Sequence, residues 1–389
     1  MTIGLITVSN DTFTNPTLCA LIEQLGTQGN DVALFNDKNL ANVPNHLKHI
    51  QYFDAPKGIL FPKRPDNFVN YLQLYRRMIK QLKSNAIVHL IAVDPIGLVL
   101  AGRIKKLYKK INIHYFSFEI FFNEEVKNNP IYSNFKKKEI FYSRYVSSIV
   151  IQDKLRRKNL INENKIDVGF DKWYFIPVAP ILTESLNQQH RSTYALKEDD
   201  IIYIHSGSIA EWSGIEHVIS AVERGLPERT VIFVHNRTKF ESSNPVHQKL
   251  LQLSIANPNL ILHDEVFDDY NEYLSFLAMF DYGIVLYEPD GGIFTGNNIR
   301  DIGLSSGKFS SYMAAGLPSL MYDCQMYREI AENFKIGTIV SSRENLSFHI
   351  KNRSLMGIKK DACRDYYQKS LNPISVIQEF IRKELYKTI

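Results

Sequence analysis

Short apolar runs alternate with amphipathic stretches along most of the chain, and this alternation predicts its elements. Residues 3–8 read as a buried strand. Residues 16–25 read as a helix with Asn15 as its N-cap and Pro16 in the first turn, and 31–35 as the next strand. Strands at 86–93 and 113–118 flank a helix at 96–110, and a strand at 148–152 leads into a basic helix at 154–160. After a polar stretch at 183–200 the pattern restarts. Strands are predicted at 201–205, 231–235, 260–263, 282–287 and 319–322, helices at 214–222, 270–278 and 308–315, and a last helix at 375–386. Buried runs separated by helices imply βαβ units and parallel sheets. Two such series predict an α/β protein of two doubly wound, Rossmann-like domains, 1–182 and 183–374. Open sheets of this kind bind ligands beyond the carboxyl ends of their strands, so a shared interdomain cleft is expected.

Composition supports a folded two-domain chain. At 389 residues it exceeds one ordinary core. A hydrophobic fraction of 44% with 22% charged residues excludes a disordered protein. The three cysteines, Cys19, Cys324 and Cys363, are too dispersed for a disulfide framework or a metal knuckle and fit a reducing cytoplasm. The first residues lack a positive n-region and read as a strand, not a signal peptide. No apolar run approaches the length of about 20 residues needed to span a bilayer. The net charge of +5 divides unevenly, with +10 in residues 1–180 and −5 in the remainder. A basic first half suits an anionic surface or substrate.

The stretch 301–318 carries the most chemistry. A loop of small polar residues ending in Ser305-Ser306-Gly307-Lys308 runs into a short helix, then Gly316-Leu317-Pro318, then a buried strand. The first N–H groups of a helix lack internal partners and favour an anion, and Lys308 adds a full positive charge one residue inside. Followed by Tyr312-Met313-Ala314-Ala315-Gly316-Leu317-Pro318, this loop resembles the donor-site helix of GT-B glycosyltransferases, especially the family-4-like retaining group. The likeness extends to Val150-Ile151-Gln152-Asp153-Lys154, to Phe175-Ile176-Pro177-Val178, and to Ile204-His205-Ser206-Gly207-Ser208 followed by Trp212-Ser213-Gly214. Before residue 110 only the general fold is similar.

The resemblance implies a GT-B fold whose C-terminal helix, 375–389, crosses back to the first domain. It also implies retaining transfer of a hexose from a nucleotide sugar, UDP-glucose first, to a glycan or lipid-linked acceptor in polysaccharide assembly. Lys308 and the helix start at Ser305, Ser306 and Gly307 would hold the donor diphosphate. Stabilising the departing diphosphate needs positioned cations and N–H donors, which this arrangement supplies without a metal. Val266 and Phe267 lie in the loop that cradles the base, and Glu288 and Asn298 are placed for the transferred sugar. Related enzymes often have Arg and Lys where Ser208 and Ser213 stand, and Glu where Gly303 and Ser311 stand. Ser208 can still donate to phosphate, and Arg237, Lys239 or Arg300 can supply the missing charge. No metal and no cofactor is expected: the histidines lack ligand spacing, and Asp199-Asp200 and Asp268-Asp269 read as turn residues.

In the first half, Glu119 follows a strand among Phe118, Ile120 and Phe121, apolar neighbours that raise a carboxyl pKa. It is the acceptor-side catalytic candidate, taking a proton from the acceptor hydroxyl or binding a sugar hydroxyl. Asp94, before Pro95, reads as a helix N-cap. Phe61, Lys63, Arg64, Arg76, Arg77 and Lys80 form a basic, aromatic surface beside an apolar stripe including Tyr75, Met78 and Leu82. Lys136, Arg156 and their basic neighbours add charge. This surface suggests peripheral docking of a cytoplasmic protein on an anionic inner membrane rather than nucleic-acid binding. The competing readings are a GT-B-fold nucleotide-sugar epimerase and a non-catalytic, membrane-associated nucleotide-sugar-binding subunit.

Overall fold

A computed structural model describes residues 1–8, 12–36, 50–54, 65–182, 185–187, 189–194, 196–267 and 269–386. The chain divides into two compact units, Met1–Val178 with Pro373–Ile389, and Ala179–Asn372.

The first unit holds strands β1 (Thr2–Thr7), β2 (Asp31–Asn36), β3 (Ile50–Asp54), β4 (His89–Val93), β5 (Asn112–Phe116), β6 (Val146–Ile151) and β7 (Trp173–Phe175). They form one parallel sheet in the order β3-β2-β1-β4-β5-β6-β7. The chain order reverses between β1 and β4, as in doubly wound sheets generally. Every residue of β4 is buried, as expected of a central strand covered on both faces. Two flanking helices, Pro16–Thr27 and Pro130–Ser143, start alike. Asn15 and Asn129 each accept two helix amides through Oδ1, and the following proline fills a position that needs no N–H.

Three expectations change here. Asp94 is not an N-cap: it is the first residue of the helix Asp94–Leu107, whose N-cap is Val93. Lys136 and Arg156 are not surface charges. Lys136 is buried with Glu139 at 3.2 Å and with Asn164. Arg156 is buried under the loop after β5, donating to Phe118 O at 2.5 Å and to Gln152 Oε1 at 2.8 Å. A buried cation is tolerated when its donors are answered: Lys136 has an ion pair, and Arg156 has carbonyl and amide oxygens. On the helix Pro65–Ser84, Tyr75, Met78 and Leu82 are buried, so these members of the apolar stripe pack inward, while Arg76, Arg77 and Lys80 are exposed. Phe61, Lys63 and Arg64 lie outside the described residues. Among the described residues no helix is long and apolar enough to cross a membrane.

The C-terminal helix Ile374–Phe380 packs within the first unit. The Phe380 ring meets His114, Phe116 and Tyr174 edge-on, with centroids 5.4, 5.3 and 5.4 Å away. One turn on, Glu384 accepts from Tyr174 Oη at 2.8 Å and from Lys172 Nζ at 3.0 Å.

The second unit holds β8 (Ile201–Gly207), β9 (Thr230–Asn236), β10 (Leu260–Asp264), β11 (Tyr282–Val285), β12 (Ser319–Tyr322) and β13 (Gly337–Val340). They form a parallel sheet in the order β10-β9-β8-β11-β12-β13, the same winding as the first six strands of the other unit. The helix Gly307–Ala315 ends on Gly316, whose φ of +81° suits glycine. There Leu317 N–H returns to Tyr312 O at 2.8 Å and Gly316 N–H to Met313 O at 3.1 Å, closing the helix before Pro318 leads into β12.

Truncating Phe380 to alanine removes a ring shared by three aromatic neighbours. The expected cost is about 3–5 kcal/mol, read as earlier loss of hydrogen-exchange protection in β5, β6 and β7 on urea titration. Unchanged protection would refute this docking role.

Candidate functional site

The second unit's site forms where its strand order reverses. β8 pairs with β9 through Gly207. Its pairing with β11 is confined to Tyr282–Tyr203 and Gly283–Ile204. Beyond that point Tyr312, on the helix Gly307–Ala315, takes over. Its hydroxyl accepts from Ser206 N–H at 2.8 Å and donates to Ile204 O at 3.1 Å. Gly283 makes room for the ring, since a Cβ there would lie 2.3 Å from Tyr312 Cδ2. The helix is thereby fixed with its N-terminus at the carboxyl end of β8, where ligands of open α/β sheets bind.

The helix start is prepared for an anion. Ser306 is the N-cap: its Oγ accepts from Phe309 N–H at 3.0 Å and bonds Tyr287 Oη at 2.5 Å. Its side chain therefore serves the helix, and the amides of Gly307 and Lys308 are left without intrahelical partners. Lys308 folds back against β8. Its Nζ lies 3.1 Å from His205 Nε2 and 5.3 Å from the centre of the Tyr287 ring. Gly207, beside Lys308, has a φ of +125°, which suits glycine. Arg237, just after β9, has its guanidinium 5.5 Å from the Tyr273 ring centre. Burial and the Arg237 charge together hold the Lys308 ammonium down to about 7. Lys308 and Arg237 thus act on one another beside the helix start. Arg237 is exposed, like Lys239, but it is the cation that acts on Lys308, and Arg300 pairs with Asp301 at 3.4 Å.

Behind them runs a buried polar chain whose proton directions follow from its ends. A carbonyl only accepts, so His235 Nε2 donates to Glu265 O at 2.8 Å. The neutral ring then takes the Ser206 hydroxyl proton on Nδ1 at 2.7 Å, and Ser206 Oγ accepts from Tyr273 Oη at 2.9 Å. Burial pushes His235 down to about 4, keeping it neutral. Glu265 is in turn held by His263 at 2.9 Å and Tyr194 at 3.3 Å.

The other donor-side candidates are placed as follows. Ser208 is exposed just beyond Gly207, and Ser305 sits in the turn before the cap. Ser213 faces inward and closes its own loop, donating to Ala210 O at 2.7 Å. Glu288 follows β11 and pairs with Arg343 through Oε1, while its Oε2 is buried without a partner. Asn298 is buried and donates to Ile293 O at 3.4 Å. Val266 is 69% exposed, while Phe267 packs on Phe276 and His235. Ser311 is buried. The structure therefore brings Lys308, Arg237, Ser306 and Gly307 to one place and commits Glu288 to an ion pair. His205, Ser206, Tyr273, Tyr287 and Tyr312 escaped sequence reasoning. The available signal was the polar pair His205-Ser206 closing an otherwise apolar strand.

In the first unit, Asp94 takes the bridging role of Tyr312 by other means. At φ +60° its Oδ1 accepts from Phe118 N–H at 2.8 Å and Glu119 N–H at 2.9 Å. Arg156 holds the same loop from below. Burial pushes the Glu119 carboxyl up to about 8; Arg156 pulls it down and Asp94 adds to the rise.

No family model matches the sequence, and no curated protein does. Solved structures do match over nearly the whole chain. Sucrose-phosphate synthase from Thermosynechococcus elongatus is 12% identical, with 98% of this chain and 97% of that one covered and a TM-score of 0.71. Anabaena HepE in complex with UDP is 11% identical, with 98% and 99% covered and a TM-score of 0.72. A Listeria monocytogenes protein described as a UDP-N-acetylglucosamine 2-epimerase is 12% identical, with 99% and 96% covered and a TM-score of 0.59. The chain has the GT-B fold, two parallel-sheet α/β units of seven and six strands.

The lowered Lys308 pKa has a stability consequence. Between pH 7 and about 10 the unfolded chain holds a proton on Lys308 that the folded chain lacks, so this group makes stability rise with pH there. Below pH 7 both states hold it, and the folded state bears the full cost. Lys308→Met is therefore expected to melt above the parent at pH 6–7, with the gap closing towards pH 10. A gap that is absent, reversed or constant with pH would contradict the assignment.

Proposed function

We propose that this protein is a retaining, metal-independent glycosyltransferase that moves a hexose from a nucleotide sugar to a glycan or lipid-linked acceptor in polysaccharide assembly. UDP-glucose is the first donor to try. The observation that carries this reading is the pairing of Lys308 and Arg237 with the free amides of Gly307 and Lys308 at the reversal point of the second sheet. Charge accumulates on the departing nucleoside diphosphate as the sugar bond breaks. Positioned cations and amides stabilise that charge more strongly in the transition state than in the donor. Ser208 lies at the end of the same strand and donates to phosphate. The loop of Val266 and Phe267 receives the base, and Asn298 receives the sugar. Glu288, paired with Arg343, takes part by orienting the loop after β11. Glu119 acts on the acceptor side. With its carboxyl raised to about 8 it is protonated at neutral pH, so it donates a hydrogen bond to an acceptor oxygen rather than taking a proton.

A panel of nucleotide sugars tests this directly. Slow release of nucleoside diphosphate from one donor is expected, accelerated by acceptor. Lys308→Ala should lower that release by about 10²–10³-fold while circular dichroism stays unchanged. At saturating donor, release should fall as pH rises through 8, and Glu119→Gln should lessen that fall. Interconversion of the sugar without diphosphate release would mean an epimerase, and binding without turnover a non-catalytic subunit. Near-normal release by Lys308→Ala would sink the assigned role.

The same reading places the protein at an anionic inner membrane surface of the cytoplasm. Arg76, Arg77 and Lys80 are exposed on one helix. Elsewhere in the unit Leu107 is 64% exposed, and Phe141 is exposed with Lys106 Nζ 4.4 Å and Arg144 Cζ 3.8 Å from its ring centre. Basic residues near a surface gain about 1 kcal/mol each from anionic lipid. Flotation with phosphatidylglycerol vesicles is expected to exceed that with neutral vesicles, and to drop in Arg76→Glu/Arg77→Glu. Equal flotation with both lipids would reject the docking surface.

A further inference from the structure

His205 is fully buried at the heart of the donor-side site, and its hydrogen bonds are over-determined. Its Nε2 lies 3.0 Å from Ser213 O and 3.1 Å from Lys308 Nζ, while its Nδ1 is buried without a partner. The Ser213 carbonyl can only accept, so Nε2 carries the ring proton. That N–H also faces Lys308 Nζ. An ammonium has three donors and no lone pair, so it cannot answer an N–H; an amine can. A doubly protonated ring is excluded by the same geometry, since its second N–H would be buried and unanswered. Burial and the Lys308 charge hold His205 well below the usual imidazole range.

Among the described residues no carboxylate acts on the lysine: from β8 it meets His205, from the end of β9 the charge of Arg237, and from the end of β11 the Tyr287 ring. Burial and Arg237 both disfavour its charge. The Glu288 carboxylate after β11 is turned to Arg343.

We propose that His205 holds Lys308 as a neutral amine in the empty site, and that arrival of a nucleoside diphosphate is coupled to uptake of one proton at Lys308 Nζ. This rests on the donor reading above and adds a positioning residue to it. The amine takes H⁺ from solvent and becomes an ammonium that pairs with phosphate oxygens, and His205 keeps its single proton on Nε2 for Ser213 O. An anion of lower charge at the same place returns less energy for the same proton. The ammonium form therefore favours diphosphates over monophosphates, and by linkage that preference narrows as pH rises and the proton has to be recruited.

Calorimetry of the full chain with UDP, in buffers of different ionisation enthalpy, counts the protons. At pH 8 the terminal phosphate of UDP is ionised. Uptake approaching about one proton per UDP is expected there, declining towards zero at pH 6. Lys308→Arg should bind UDP with no uptake at any of these pH values, because a guanidinium stays charged. His205→Gln should bind with reduced uptake at pH 8: its amide N–H still serves Ser213 O, while its carbonyl oxygen welcomes the ammonium. UDP binding by the parent without proton uptake, or equal uptake by Lys308→Arg, would overturn the inference and leave the donor reading standing. Absence of binding by UDP, GDP and ADP alike would overturn both.

Discussion

The second unit depends on one tyrosine hydroxyl. Where β11 stops pairing with β8, the Ile204 carbonyl and the Ser206 amide lose a strand partner, and unpaired buried main-chain groups are costly. Tyr312 answers both at once, accepting from one and donating to the other. Its ring reaches them because Gly283 has no side chain to block it. This bridge ties the helix Gly307–Ala315 to the end of β8. The free amides at its N-terminus, the Lys308 side chain and His205 thereby share one place. A strand reversal alone would open a crevice; the hydroxyl fills its upper edge with a helix N-terminus.

Charge then gives that place its character. Lys308 and Arg237 approach each other with burial acting against the lysine and no compensating carboxylate among the described residues that act on it. Glu288, after β11, is paired with Arg343. Burial and the cost of a second charge at that place are what hold the Lys308 ammonium down to about 7. The polar chain through Ser206, His235 and Glu265 adds no charge. It rigidifies the floor of the site with every proton direction set by a main-chain acceptor at one end.

The first unit solves a parallel problem with charge rather than a hydroxyl. Asp94, in a left-handed conformation, gathers the amides of Phe118 and Glu119 at the end of β5. Arg156 takes the carbonyl side of the same loop. Glu119 is left half-buried beside a carboxylate, and its raised pKa follows. Part of the basic excess of residues 1–180 is therefore internal scaffolding. The exposed share is carried by residues such as Arg76, Arg77, Lys80 and Lys106.

The winding of both sheets was legible in the sequence because central strands, covered on both faces, leave unbroken apolar runs. The strands that escaped were β3, β7 and β13. All lie at sheet edges, where mixed burial and short length erase the pattern. The Ser-Gly-Lys helix start was equally legible, since capping and helix dipoles are properties of neighbours within one turn. What sequence could not decide was which charges are free. Lys136 and Arg156 look like Arg76 and Arg77 along the chain, yet one pair is buried and the other exposed. Glu288 looked available until Arg343 reached it. The protonation of Lys308 depends on His205, 103 positions away, and on Arg237. Periodicity and capping are local, so the chain determined its fold and its capped helix start by itself. Desolvation and pairing are set by residues distant in sequence, so only the folded structure decided the electrostatics of the site.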